Sequence, residues 1–186
     1  MPRVISGQLN TADITRMIKQ LEDYNNELMR KCEELVNELA DIGIRLAESR
    51  LSGIVDESTL IEGNTALDFS NMVWFEKQID PPLGDTVTGL IIPYSQPYIK
   101  TWQGGSAQVD PLLMAEFGSG NFAIDGHRGT FPNQKHANQD KWGWKEVGSD
   151  EIHWSSGVIP TRPIFYAVEE MRNQIDGVVA RVFGTS

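Results

Sequence analysis

The sequence predicts an α+β fold: a small antiparallel sheet packed by a long N-terminal helix and a C-terminal helix, with a long irregular loop or arm. Three observations carry this. A 3.5-residue apolar period runs through residues 11–51, a partly alternating β-branched and aromatic pattern fills 56–117, and a second helical stripe closes the chain over 161–183. At 186 residues the chain fits a single domain, 1–186, long enough to bury a core.

The first helix has both of its ends written in the sequence. Asn10 can cap it, with Asp13 three residues on at the positive end of the helix dipole, and Ser52-Gly53 stop it. Apolar residues fall at Ile14, Ile18, Leu21, Leu28, Cys32, Leu35, Leu39, Ile42 and Leu46, in steps of three and four, with Asn25 interrupting the seam. That spacing is close to a coiled-coil stripe. At 1.5 Å per residue the helix is about 60 Å long, more than a domain of this size needs for its core. Two readings follow: a long helix, with Gly43 as a point of kinking, packed on its own sheet; or a helix whose end projects and pairs with a neighbouring subunit. Cys32 on the stripe reads as a small core residue.

In the sheet region, "ALDFSNMVWFEKQI" and "DTVTGLIIPYSQPYIKTW" read as antiparallel strands around a broad turn at Pro81-Pro82 and Gly84. Pro93 and Pro97 fit only at an edge or bulge. Residues 56–116 hold nine acidic residues against two lysines, a net charge of −7 out of −10 for the whole chain. Residues 118–157 are punctuated by glycine, asparagine, aspartate and serine, and no period persists. An irregular segment of that length is more often functional than ornamental. Its Trp142, Trp144 and Trp154 must pack against something, which suits an arm that docks on a neighbour. The closing helix follows "GVIPTRPIFYAVEEMRNQI": Pro160 keeps Ile159 extended, Thr161 can serve as N-cap, and Pro163 stands in the first turn, where its missing N–H costs nothing. Arg162 opposes the local dipole, so a partner carboxylate is expected, with Glu116 the natural candidate; the alternative is a solvated arginine with a buried stem.

The composition argues against several classes of function. A net charge of −10 does not suit a DNA-binding surface, which needs a basic patch to displace counterions. The one cysteine cannot form an internal disulfide. "MPRVISGQLN" lacks the apolar run of a signal peptide, and no stretch approaches 18 apolar residues, so a soluble intracellular product with no membrane contact is expected. His127, His136 and His153 share the irregular region with Asp125, Asp140 and Glu151, residue types that suit zinc, yet the spacings are wide and no HExxH is present. There is no GxxxxGK[ST] and no G-x-S-x-G, so neither an enzyme nor a cofactor is expected.

"LLMAEFGSG" (112–120), then the irregular stretch, then "GVIPTRPIFYAVEEMR" (157–172) resembles the tail-component family of long-tailed bacteriophages, whose members are called tail-completion, neck or minor tail proteins. Glu116, Phe117, Gly118 and Gly120 match the first motif; Pro160, Arg162, Pro163 and Phe165 match the second, with Ile164 an extra residue. The resemblance covers roughly residues 85–183 and departs in the long first helix and the histidine-bearing loop. It implies a strand ending in Glu-Phe-Gly, a loop, and a closing helix. It also implies a structural virion protein of the head–tail junction, made in the host cytoplasm, that forms a homo-oligomer ring, meets neck, connector or tail-tube proteins and lets DNA pass without specific binding. Arg162, Glu116, Phe117, Pro163 and Phe165 would then be contact residues, with the three tryptophans of the arm. Asp80, Asp85 and Asp110 would face the lumen and repel phosphate. A tail-terminator or capsid-associated subunit is the nearest alternative, and a metal-dependent hydrolase using the loop histidines is the alternative of another class.

Overall fold

Helix α1 (Thr11–Leu51) is continuous over 41 residues in the computed structural model, which describes residues 10–61, 65–102, 105–118, 142–145, 152–155 and 158–184. Its limits are those its caps dictate. The Asn10 side chain accepts a hydrogen bond from the Asp13 N–H at 2.9 Å, and Gly53, at φ 84°, turns the chain away after Ser52. Gly43 lies inside the continuous helix, and its use is close approach: a Cβ there would stand 2.8 Å from Met171 Sδ and 2.9 Å from Ile91 Cδ1.

Strands β1 (Val55–Ile61) and β2 (Thr65–Asp68) pair antiparallel, and a 3-10 turn at Phe69–Asn71 leads into β3 (Val73–Ile79). β3 pairs with β4 (Gly89–Ser95) in unbroken register from Val73↔Ser95 to Ile79↔Gly89. β5 (Tyr98–Trp102) pairs with β6 (Gly105–Val109), and β7 (Trp142–Lys145) with β8 (Ile152–Ser155). The described residues thus hold the expected α+β fold, its antiparallel strands paired in four two-stranded sheets. Pro97, between β4 and β5, interrupts extension of the ladder, and Pro93 sits in a strand whose outer edge is unpaired, as a proline requires.

A two-stranded sheet is marginal by itself and needs a helix behind it. Strand β3 supplies the surface: Val73 and Phe75 are buried while Trp74 and Glu76 are exposed. The main core joins Ala47, Leu51 and Ile54 at the end of α1 to Phe69, Val73, Phe75, Val109, Met114, Ala115 and Ala167. Gly89 opens β4 directly against Val36 of α1, with no room for a Cβ. A surface ion pair from Lys77 to Asp41 adds little by comparison.

Helix α3 (Pro163–Phe183) runs antiparallel to α1: its start lies beside Arg50, which donates to the Thr161 carbonyl at 3.2 Å, and its end reaches Lys31, whose ammonium sits 5.8 Å from the Phe183 ring centroid. A second cluster of Ile42, Val178 and Val182, flanked by Leu35, Leu39 and Phe183, holds the two helices together. Because α3 stops at Phe183, α1 continues beyond it for about 30 Å with Ile14, Ile18, Leu21, Tyr24 and Leu28 at 36–54% exposure.

Three expectations are corrected. Residues 111–117, implied as the end of a strand, form helix α2 (Pro111–Phe117), because Asp110 accepts from the N–H groups of Leu112 and Leu113 and Gly118, at φ 75°, ends the helix. Cys32 is only half-buried, at the level of Phe183 where the closing helix ends. The segment 118–157 contains a β7–β8 hairpin, with Trp142 and Trp144 on one strand and Trp154 on the other; the rest of it lies outside the described residues.

The two close-approach glycines should respond differently. Gly89→Ala forces a Cβ onto the short, branched Val36 and should cost about 1–3 kcal/mol. Gly43→Ala meets only the flexible ends of Met171 and Ile91, and about 1 kcal/mol of gained helix propensity offsets that strain. Urea unfolding of both variants checks the contrast.

Candidate functional site

The two sequence motifs separated by the irregular segment meet at the start of α3. Four backbone N–H groups there, those of Thr161, Arg162, Ile164 and Phe165, need acceptors, and Pro163 between them has none to satisfy. Two consecutive residues of α2 supply all four. The Ala115 carbonyl accepts from Thr161 and Arg162 at 2.9 and 3.0 Å. The Glu116 carboxylate accepts from Ile164 at 2.8 Å through Oε2 and from Phe165 at 3.1 Å through Oε1.

Glu116 therefore performs the work of an N-cap from 48 residues away. Its negative charge sits at the positive end of the α3 dipole while only 8% exposed, which makes these charge-assisted bonds stronger than neutral ones. This replaces two expectations. Thr161 does not cap: the residue at the cap position is Arg162, and the Thr161 hydroxyl is buried without a partner. Among the described residues no ion pair joins Arg162 to Glu116, because the carboxylate is spent on the backbone.

Arg162 itself is in the left-handed region, at φ 52° and ψ 56°, a conformation that costs a non-glycine residue about 1–2 kcal/mol. The bonds to Ala115 and Glu116 on either side of it hold it there. Its guanidinium lies 3.7 Å from the centroid of the Phe165 ring, and the Arg50 guanidinium lies 3.7 Å from that of Tyr166. Phe165 and Tyr166 meet edge to face with centroids 5.3 Å apart. Two cations and two rings thus form one cluster in which Phe165 remains 40% exposed. Of the residues expected at contacts, Glu116 and Pro163 are buried within the chain, and Arg162 and Phe165 reach its surface.

The three aspartates expected in a lumen do not share a place. Asp80 and Asp85 belong to the β3–β4 turn, where Asp80 accepts from Gln78 at 2.7 Å and Asp85 is exposed. Asp110 caps α2, which packs against β4 and the 3-10 turn. His127, His136, Asp125, Asp140 and Glu151 lie outside the described residues; among those described, no group of three or more metal-ligating side chains comes together, and no helix is long and apolar enough to cross a membrane.

A feature the sequence reading missed is a stacked pair of exposed rings, Trp74 on β3 and Tyr94 on β4, with centroids 5.6 Å apart and planes 13° from parallel. Their pairing is legible once the hairpin is centred on Gly84, the glycine at φ 66° in its turn.

No known protein family, curated protein or solved structure matches this chain.

If the cap is the Glu116 carboxylate, Glu116→Ala should cost about 2–3 kcal/mol, from two lost charge-assisted bonds at buried donors. Thr161→Val should cost nothing, where removing a working threonine cap costs about 1 kcal/mol. Chemical denaturation of the two variants separates the assignments.

Proposed function

We propose that this chain is a structural virion protein of the phage head–tail junction, of the neck or tail-completion kind, which acts by assembling into a ring that joins tail to head and lets DNA pass. One observation carries the reading: the two motifs behind the resemblance are halves of a single lock, with Glu116 of the first capping the helix that the second begins.

The exposed surface also supports an assembly role. The Arg162–Phe165 cluster, the Trp74–Tyr94 stack and the uncovered stripe of α1 place large apolar and aromatic groups in water, and residues of these types dominate contact energies. Arginine over an exposed ring at a rigid helix start is a contact group that needs no reordering on binding. Neighbouring neck, connector or tail-tube proteins would meet these surfaces.

The gene's loss from the phage genome that carries it is the direct test. Electron microscopy of the lysate should show filled heads and separate tails. Intact joined particles would overturn the reading, tails of uncontrolled length would favour a tail terminator, and defective heads a capsid-associated subunit. A lumen role is carried by Asp80 and Asp85: particles with Asp80→Asn and Asp85→Asn should eject DNA more slowly, because like-charge repulsion of phosphate is reduced. Asp110→Asn keeps its cap and should leave ejection unchanged, since its carboxylate is engaged with α2.

A further inference from the structure

We infer that the projecting half of α1 pairs antiparallel with the same half of a second copy of this chain. The inference extends the proposed assembly role to a specific contact, and does not depend on a place in a virion.

The stripe itself is the starting point. Leu35, Leu39 and Ile42 face α3 and are covered by Val178, Val182 and Phe183. The same period, continued toward the N-terminus, gives Leu28, Leu21, Ile18 and Ile14, and these are exposed. A straight helix lets such a stripe drift by only about 20° per heptad, so both parts lie on one side of α1. α3 is a helix laid antiparallel on the covered part; the uncovered part offers the same surface, about 30 Å long, to another helix.

Sterics select the direction. Packed helices stand 8–10 Å apart, the width of one helix. In a parallel, in-register pair, each α3 would have to occupy the strip where the partner's α1 runs. In an antiparallel pair the partner's helix continues the line of α3 and stops near Phe183, while its own α3 lies beyond the N-terminal end of the first α1. The exposed stripe, Ile14 to Leu28, then matches in length the stripe that the partner brings.

Charge selects the same direction. Residues 10–20 carry Asp13, Arg16 and Lys19, a net +1; residues 21–31 carry Glu22, Asp23, Glu27, Arg30 and Lys31, a net −1. Antiparallel pairing sets each half against its opposite, and parallel pairing sets like against like. The arrangement also brings the negative C-terminal end of α3 to the positive N-terminal end of the partner's α1.

The area indicates the strength. Five half-exposed apolar side chains per copy form a patch of a few hundred Å², which places the contact at the small end of the interface range and makes it concentration-dependent. A two-fold contact of this kind cannot repeat round a ring whose subunits all point one way, so it describes the free subunit, and ring formation exchanges it for another contact.

Light scattering of the full chain over a concentration series should show a monomer–dimer equilibrium. Ile18→Glu with Leu21→Glu should weaken it roughly tenfold or more while leaving the thermal midpoint of the monomer unchanged, because both side chains are exposed in the single chain. For direction, two chains in a Cys32→Ser background, one Ile14→Cys and one Leu28→Cys with a size tag, are mixed and treated with a thiol crosslinker of about one helical turn's reach. The 14–28 product should dominate. Dominant 14–14 and 28–28 products would overturn the antiparallel pair, as would a dimer that the double glutamate variant leaves intact. A monomer at every concentration would overturn the pairing outright, yet would leave unjoined heads and tails as the expected outcome of the gene's loss, so the two ideas fail separately.

Discussion

The start of the closing helix is anchored by two consecutive residues of α2. The Ala115 carbonyl and the Glu116 carboxylate take every N–H between Thr161 and Phe165, and Pro163 removes the one that would have been left over. A helix start buried without acceptors is unfavourable by the desolvation of each orphaned donor. Meeting that requirement from a remote helix means that α3 can begin only where α2 places it. The contact also fixes Arg162 in a conformation it would not choose, and so fixes where its guanidinium and the Phe165 ring appear on the surface.

The acidity of the middle third has a structural cause beyond any field it projects. Asp68 caps the 3-10 turn, Asp110 caps α2 and Glu116 caps α3, each through backbone N–H groups. Short elements joined by tight connections expose many helix starts per residue, and carboxylates are efficient at satisfying them. Counting charge along the sequence therefore overstates what is free to act on a passing polyanion; Asp80 and Asp85 in the β3–β4 turn are the better candidates for that.

Helix α1 serves two purposes with one pattern. Over its second half the stripe is core, closed by α3 and by the β3–β4 hairpin through Gly43 and Gly89. Over its first half the same spacing leaves Ile14, Ile18, Leu21 and Leu28 exposed. A long amphipathic helix cannot be stabilised by propensity alone in water, so its free half gains from a partner of matching length and shape.

The sequence by itself determined the elements whose causes are local. The span Thr11–Leu51 follows from Asn10, Ser52 and an apolar period, and the antiparallel β3–β4 hairpin follows from alternation about Gly84, because caps and periodicity act within a few residues. The importance of Glu116 and of the Pro-Thr-Arg-Pro segment was legible as a pair of motifs. Only the tertiary structure decided how they act. Thr161 looked like the cap because it is the nearest hydroxyl, yet a carboxylate brought in by α2 wins through charge and burial. "LLMAEF" became a helix because Asp110 and Gly118 bound it, and Cys32 stayed half-buried at the level where α3 ends. The Glu116 contact joins residues far apart in the chain, and no local pattern records which surface a neighbour will reach, whereas the bounds of α2 are set by its own neighbours Asp110 and Gly118.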